Sequence, residues 1–185
     1  RRFPDVPIIV GGEHATAAGE YVLRSTPEVS CVAAGEGERT IVEYAEHLDG
    51  KRSLESVAGI QYLDPGGRLR SNPARPRIHE LDDIPWPAWG LFDLEPYFAA
   101  GEGHGVERGR AMPILATRGC PYQCSFCSNP TMWTTRYAMR SVPKVLDEIE
   151  QHLERYHAEN IDFYDLTAII RKGWMLEFCR EVRRR

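Results

Sequence analysis

Three cysteines within eight residues are the part of this sequence most able to do chemistry. They are Cys120, Cys124 and Cys127, in the segment Cys120-Pro-Tyr-Gln-Cys124-Ser-Phe-Cys127. The chain has five cysteines, an odd number, and three so close together make a poor disulfide framework. The proline and glutamine between them indicate a loop rather than a core strand. The spacing therefore predicts a metal site in a reducing compartment.

Two kinds of metal site use such cysteines. A 4Fe–4S cluster normally takes four thiolates, so a loop with three leaves one iron open to a substrate. Structural zinc is the alternative, but it needs four tetrahedral ligands, usually in two pairs. A fourth zinc ligand would have to come from an unrelated element, and Cys31 and Cys179 are each predicted to be buried small hydrophobic residues. The other possible donors of a fourth zinc ligand are His152 and His157. The pattern therefore favours the iron–sulfur cluster over structural zinc.

The Cys-x3-Cys-x2-Cys spacing, with an aromatic residue before the last cysteine, resembles the motif of the radical S-adenosylmethionine enzymes. The resemblance implies that the three cysteines hold a 4Fe–4S cluster and that S-adenosylmethionine binds its open iron. It also implies that Phe126 packs beside the adenine end of that cofactor. The fold expected from it is a partial (β/α) barrel that begins at the strand before the motif. A small-molecule substrate and an electron donor such as flavodoxin or ferredoxin are implied as partners.

The segment Tyr164-Asp165-Leu166-Thr167 lies where this family binds the methionine part of S-adenosylmethionine. Many relatives carry two consecutive acidic residues there, whereas Leu166 follows Asp165 in this chain. Only Asp165 is therefore carried over as a cofactor-binding residue. The alternative is that Asp165 caps the turn that follows it.

The elements before the cysteines alternate between short apolar strands and helices. The strand Pro7–Val10 meets Gly11-Gly12, and Thr16 is predicted to cap a helix that runs to about Ser25. A second strand over 29–34 meets Gly35-Glu36-Gly37, and the next helix ends at a glycine. This alternation predicts a parallel sheet with helices on its faces, which binds ligands at the carboxyl ends of its strands.

In its order of elements, this first half resembles the C-terminal part of the cobalamin-binding domain of cobalamin-dependent radical S-adenosylmethionine enzymes. Glycines at these turns would let the backbone approach a large planar ligand. Either glycine pair alone would be only an ordinary turn between a strand and a helix. The implied cobalamin-binding residues are Gly11, Gly12, His14, Thr16, Gly35 and Gly37.

The expected fold class is α/β, with the C-terminal part of a doubly wound, Rossmann-like domain followed by the first βα units of a partial (β/α) barrel. Residues 1–72 form the first part and include a hairpin about Asp64-Pro-Gly-Gly67. Residues 73–110 form a packed linker rich in proline and tryptophan, with a loop that contains His104. Residues 111–185 form the barrel part, with a strand at Met112–Thr117, a helix that Ser141 can cap, and a strand at Ile161–Tyr164.

The composition of the chain limits the classes of partner that it is expected to bind. The chain has 185 residues, of which 42% are hydrophobic, and 23 basic against 27 acidic residues give a net charge of −4. No broad basic excess points to nucleic acid. No apolar run reaches the roughly 18–20 residues of a membrane span. We expect a soluble, cytoplasmic protein.

These features together predict a cobalamin-dependent radical S-adenosylmethionine enzyme that transfers a methyl group or rearranges a ring in a small molecule. The alternative is a non-catalytic zinc module whose Rossmann-like half binds a partner. The chain is expected to be a fragment, inactive by itself, because only two barrel strands follow residue 110 where a full barrel of this kind has eight.

Overall fold

The computed structural model describes residues 5–101, 103, 109–167 and 170–185. His104 and most of the predicted loop around it lie outside these residues. The described chain divides into two compact units. The first contains the residues up to Ile78 together with Pro121–Arg136, and the second contains His79–Cys120 and Tyr137–Arg185.

The first unit is built on a four-stranded sheet with the order β1-β2-β3-β4. Strand β1 (Ile9–Val10) pairs in parallel with β2 (Cys31–Ala33), placing Ile9 opposite Cys31. Strands β3 (Ile60–Leu63) and β4 (Leu69–Ser71) continue the sheet as an antiparallel hairpin. The predicted turn of this hairpin is confirmed, because the Asp64 side chain accepts hydrogen bonds from the backbone N–H groups of Gly66 and Arg68.

Both faces of this sheet are covered. Helices α1 (Glu13–Ala17) and α2 (Gly19–Ser25) bring Ala15 and Leu23 against Val32, and α3 (Glu38–Leu48) brings Tyr44 against Cys31. All of β2 is buried, as expected of a strand with helices on both sides. The predicted α/β class and the parallel pairing therefore hold for β1 and β2, and the hairpin makes the whole sheet mixed.

The predicted helix from Thr16 to Ser25 was given the wrong first residue. Helix α1 already begins at Glu13, and Ala18 separates it from α2 with a non-helical backbone (φ −126°, ψ 32°). Thr16 thus lies inside α1 and does not cap a helix. The positive φ of Gly12 (+93°) turns the chain into α1 earlier than the residue pattern suggests.

The second unit contains the predicted strand–helix–strand unit. Strand β5 (Ala111–Ile114) pairs in parallel with β8 (Asn160–Phe163), and α6 (Val142–Tyr156) connects them. Val145 of α6 packs with Ile114 and Ala116 in the core, and α7 (Lys172–Arg184) adds Trp174 and Phe178 to the same core. Ser141 occupies the N-cap position of α6 as predicted, but its side chain makes no capping hydrogen bond.

The strand predicted over Met112–Thr117 is divided in two. After β5 ends at Ile114, β6 (Thr117–Arg118) pairs antiparallel with β7 (Ala138–Met139). The backbone between them is held by other partners, because Arg140 donates to the carbonyl of Leu115 and Asp165 accepts from Ala116 N. The chain thus leaves one sheet and enters another just before the cysteines.

Few regular elements occupy the described part of the predicted linker. It has 3₁₀ turns at Leu81–Asp83 and Trp89–Leu91 and a short helix, α4 (Glu95–Ala99). Another short helix, α5 (Asn129–Met132), follows the cysteines. The aromatic residues of 89–98 line a cavity of about 300 Å³ in the second unit. None of the described helices has the length and apolar character needed to cross a membrane.

The two isolated cysteines differ in burial. Cys31 is 1% exposed, as predicted, and burial raises the pKa of its thiol to about 11. Cys179 is exposed, so its predicted burial is wrong. Phe178 faces the core of the second unit, and the next residue on a helix points about 100° away from it.

Candidate functional site

The cysteine motif follows β6 as an open loop. Gly119 has a positive φ of +83°, and the loop continues through Cys124 and Cys127, which are exposed. The backbone N–H of Cys127 donates to the carbonyl of Cys124 across 3.0 Å, which closes a tight turn between these two thiols. Phe126 lies in that turn and is 90% exposed, so its ring is available to a ligand.

The cysteine motif offers thiols of the kind that ligate an iron–sulfur cluster. All five cysteines are free thiols, and those of the motif reach solvent in whole or in part. The described residues contain no group of three His, Cys, Asp or Glu side chains placed to hold a metal ion. The chemistry of three free thiols in one loop fits a cluster, and the assignment of Cys120, Cys124 and Cys127 as its ligands stays a prediction.

Cys120 belongs to the second unit, where the segment after β8 approaches it. The hydroxyl of Thr167 donates to the Cys120 sulfur across 3.3 Å. Tyr137 holds this segment in place, because its hydroxyl donates to the carbonyl of Thr167 across 3.0 Å. Burial raises the pKa of the Tyr137 phenol, so it remains a hydrogen-bond donor at neutral pH. Sequence reasoning placed Thr167 in a ligand-binding segment but missed both contacts.

Asp165 is turned toward the start of β6. One carboxylate oxygen accepts from the backbone N–H of Ala116 across 3.2 Å, and the other accepts from the hydroxyl of Thr117. Burial raises the pKa of this carboxyl group, although these hydrogen bonds oppose the effect. Its part in binding S-adenosylmethionine stays a prediction, and these contacts give Asp165 a structural role that the sequence did not indicate.

The two glycine turns lie in the first unit at the carboxyl ends of β1 and β2. Because these strands are parallel, both turns lie at one edge of the sheet, which we call the glycine edge. Gly12 and Gly35 have positive φ values of +93° and +78°, whereas Gly37 has an ordinary φ of −92°. A Cβ atom built at any of the three would meet nothing within 4 Å, so the space in front of them is open. Gly11 instead faces Ala33, at 3.7 Å.

Thr16 connects these turns. Its hydroxyl oxygen accepts from the backbone N–H of Gly35 across 3.0 Å, and the hydroxyl donates to the sulfur of Met132 across 3.4 Å. The structure thus brings Thr16 and Gly35 together, as expected if they serve one site. His14 is exposed on α1 and remains a candidate.

Sequence reasoning also missed a buried ion pair beside the glycine edge. The side chains of Glu36 and Arg77 are 2% and 11% exposed, and their charged groups lie 3.3 Å apart. Arg77 also donates to the backbone carbonyls of Trp133 and Arg136. The position of Glu36 between two glycines was the only available signal, and nothing in the sequence pointed to Arg77 as its partner.

Comparisons with known proteins add three findings. A family model described as a 4Fe-4S single cluster domain matches residues 100–185. An uncharacterized methyltransferase of Pyrococcus horikoshii is 31% identical over 97% of this chain and 37% of its own length. The anaerobic magnesium-protoporphyrin IX monomethyl ester cyclase of Rubrivivax gelatinosus is 34% identical over 98% of this chain and 32% of its own length. The chain thus spans about a third of these relatives.

Solved structures are similar in fold. The cobalamin-dependent S-adenosylmethionine radical enzyme OxsB, with aqua-cobalamin and S-adenosylmethionine bound, matches 96% of this chain and 24% of its own with a TM-score of 0.76 and 22% identity. The radical S-adenosylmethionine methyltransferase TsrM from Kitasatospora setae, with tryptophan and a cofactor analogue bound, matches 100% of this chain and 34% of its own. Its TM-score is 0.74 and its identity 24%.

Proposed function

Because this chain belongs to the cobalamin-dependent radical S-adenosylmethionine enzymes, we propose that its cysteine loop holds a 4Fe–4S cluster and that its glycine edge holds cobalamin. The single observation that carries the proposal is the loop Cys120-x3-Cys124-x2-Cys127, with three free thiols and no fourth cysteine nearby in sequence. When bound, the cluster supplies one electron that cleaves S-adenosylmethionine to methionine and a 5′-deoxyadenosyl radical, and cobalamin supplies a methyl carrier.

The loop after β6 and the segment after β8 would serve the S-adenosylmethionine end of the site. The Cys120 thiolate would bind iron while Thr167 donates a hydrogen bond to its sulfur. Hydrogen bonds to cluster sulfurs raise the reduction potential, so Thr167 would help the cluster to accept an electron. Phe126 would pack beside the adenine, and the segment at Asp165 would receive the methionine part.

The glycine edge would serve the cobalamin end. Gly12, Gly35 and Gly37 lack a side chain where the flat face of a corrin would approach, and open space lies in front of each. Thr16 would fix the second turn by its hydrogen bond to Gly35 N, and His14 would offer a polar side chain at the same edge.

We infer that the sheet β1–β4 belongs to the C-terminal part of a Rossmann-like cobalamin-binding domain and that β5, α6 and β8 belong to the first βα units of a partial (β/α) barrel, with Pro121–Arg136 of the barrel part packed in the first unit. The proposed domains are residues 1–72 and 111–185, with 73–110 as a linker. The reaction is proposed to be methyl transfer or ring rearrangement of a small molecule, because the named relatives include both methyltransferases and a cyclase. Flavodoxin or ferredoxin would donate the electron, and the reducing cytoplasm would suit the free thiols.

Anaerobic reconstitution tests the proposal. Iron and sulfide should be retained in a ratio near four of each per chain, and S-adenosylmethionine should change the electron paramagnetic resonance spectrum of the reduced cluster. Zinc as the only retained metal would instead support the non-catalytic zinc module, which no observation among the described residues favours. An unchanged spectrum would indicate a fourth protein ligand and contradict the open iron.

A further inference from the structure

The peptide after the last cysteine is fastened to the glycine edge inside the first unit. We call this peptide, Ser128–Arg136, the strap. It begins directly after Cys127 and contains α5. Three separate groups of contacts hold it, from Glu13, Thr16 and Arg77. Glu13 follows Gly12 in the chain, and the other two side chains are bonded to Gly35 and Glu36 of the second turn.

The first two groups of contacts come from α1. The hydroxyl of Ser128 donates to a carboxylate oxygen of Glu13 across 2.7 Å, and Glu13 directly follows Gly12. The hydroxyl of Thr16, which accepts from Gly35 N, donates to the sulfur of Met132. One side chain thus contacts both a glycine turn and the strap. These contacts are exposed or half-buried, and each is worth about 1 kcal/mol or less.

The third group is the buried pair Glu36–Arg77. Glu36 lies between Gly35 and Gly37, and its carboxylate accepts from Ile78 N across 2.7 Å and from Arg77 Nε across 3.3 Å. The Nη1 group donates to the carbonyls of both Trp133 and Arg136, and the guanidinium carbon lies 5.4 Å from the centre of the Trp133 ring. A planar guanidinium holds five N–H donors on three nitrogens in a fixed fork, whereas an ammonium has three donors on one atom and cannot span the same partners.

The strap has a defined shape of its own. Asn129 is 1% exposed and donates to the carbonyl of Thr134 across 3.1 Å. Thr134 has a positive φ of +56°, which a non-glycine residue adopts only where its surroundings hold it. A strap of fixed shape transmits a displacement of the glycine edge to Cys127 instead of absorbing it.

We propose that the strap couples the glycine edge to the cysteine loop, and that Glu36 and Arg77 are the positioning residues that hold it there. The inference rests on the proposed function of both sites. A ligand that orders the glycine edge also orders the strap and hence the cysteine loop, so cobalamin and the cluster each strengthen the binding of the other. Thermodynamic linkage requires this effect to be reciprocal.

The test compares cobalamin binding in reconstituted protein and in protein freed of its cluster by a chelator. In the wild type, hydroxocobalamin should bind about 5-fold or more tightly when the cluster is present. Arg77→Lys keeps a positive charge for Glu36 but loses the forked contacts with the strap, so the ratio of affinities should fall from the wild-type value toward 1. A merely structural role would change both affinities by the same factor and leave the ratio unchanged.

Arg75→Lys is the matched control. Arg75 lies two residues away and is about as buried as Arg77, but it pairs with Glu43, whose side chain is 22% exposed, and it donates to Thr40 and Ala58 rather than to the strap. Its ratio should equal that of the wild type.

A second readout needs no cofactor, since hydrogen exchange of the strap amides should be faster in Arg77→Lys than in Arg75→Lys. Ser128→Ala, which removes one exposed hydroxyl, should also lower the ratio and serves if Arg77→Lys does not fold.

The outcomes separate the two proposals. A ratio of 1 in the wild type, or the same ratio in Arg77→Lys and in the wild type, would overturn the coupling and leave the cobalamin site standing. Failure of hydroxocobalamin to bind the wild type in either form would overturn the cobalamin site and the coupling together.

Discussion

The hydroxyl of Thr167 lies 3.3 Å from the sulfur of Cys120, although 47 residues separate them. The parallel pairing of β5 and β8 produces this approach, because it places the carboxyl ends of both strands at one edge of the sheet. Cys120 follows β5 in the chain and Thr167 follows β8. The relationship gives the first cysteine a neighbour that can adjust the electronic properties of a bound cluster.

Thr167→Val should lower the reduction potential of the reconstituted cluster. The hydroxyl stabilises the more electron-rich sulfur of the reduced state, and a bond worth about 1 kcal/mol more in that state corresponds to roughly 40 mV. Redox titration followed by electron paramagnetic resonance measures the shift. Thr131→Val, an exposed change in the first unit, should leave the potential unchanged. A Thr167→Val cluster with the wild-type potential would show that the hydroxyl does not contact the bound form.

Replacing Cys120, Cys124 or Cys127 with Ala should abolish the oxygen-sensitive visible absorption of the reconstituted cluster. Three thiolates are the minimum expected set, and removal of one leaves two irons without a protein ligand. Cys31→Ala and Cys179→Ala should retain it, because neither cysteine belongs to the loop. A full cluster spectrum in Cys124→Ala would contradict the ligand assignment.

Gly37→Val should weaken hydroxocobalamin binding by about tenfold or more while leaving the melting temperature nearly unchanged. Gly37 has an ordinary φ and open space before it, so valine causes no positive-φ strain and blocks only an incoming ligand. Gly12→Val is a weaker test, because a φ of +93° makes any β-branched residue unfavourable there. Equal affinity in Gly37→Val and in the wild type would remove the second turn from the cobalamin site.

Lowering the pH from about 7 toward 5.5 should destabilise the second unit through His152. This side chain is fully buried, and burial lowers its pKa below the ordinary value of 6.5. The unfolded chain therefore binds the proton first, so the free energy of unfolding falls as pH drops through that value, by at most about 1.4 kcal/mol per pH unit. Burial raises the pKa of neighbouring Glu148 above its ordinary value of 4.5, so the folded chain takes up that proton first and Glu148 opposes the fall at pH values above 4.5.

Urea unfolding at several pH values measures this effect. His152→Leu should flatten the dependence between pH 7 and 5.5, since it removes the ionisable group from its buried position. The exposed His79→Leu change should retain the wild-type slope. An unaltered slope in His152→Leu would assign the acid sensitivity to another group.

Features that depend on near neighbours could be predicted from the order of residues alone. The cysteine motif, the hairpin turn at Asp64–Gly67 and the apolar stripe of α6 each involve residues a few positions apart, so their spacing predicts them. The same local logic failed at Thr16, where three-dimensional contacts with Gly35 and Met132 replaced a capping role. It also failed at Cys179, whose burial depended on which face of α7 met the core.

Which distant residues meet at the candidate sites depends on how the elements pack in three dimensions. Glu36 and Arg77 are 41 residues apart, and Arg77 and Trp133 are 56 apart, so no periodic pattern relates them. Their contacts follow from strand order and from the path of the strap across α1. A short-range pattern records what one element needs for its own stability, whereas such pairs exist only after separate elements have packed together.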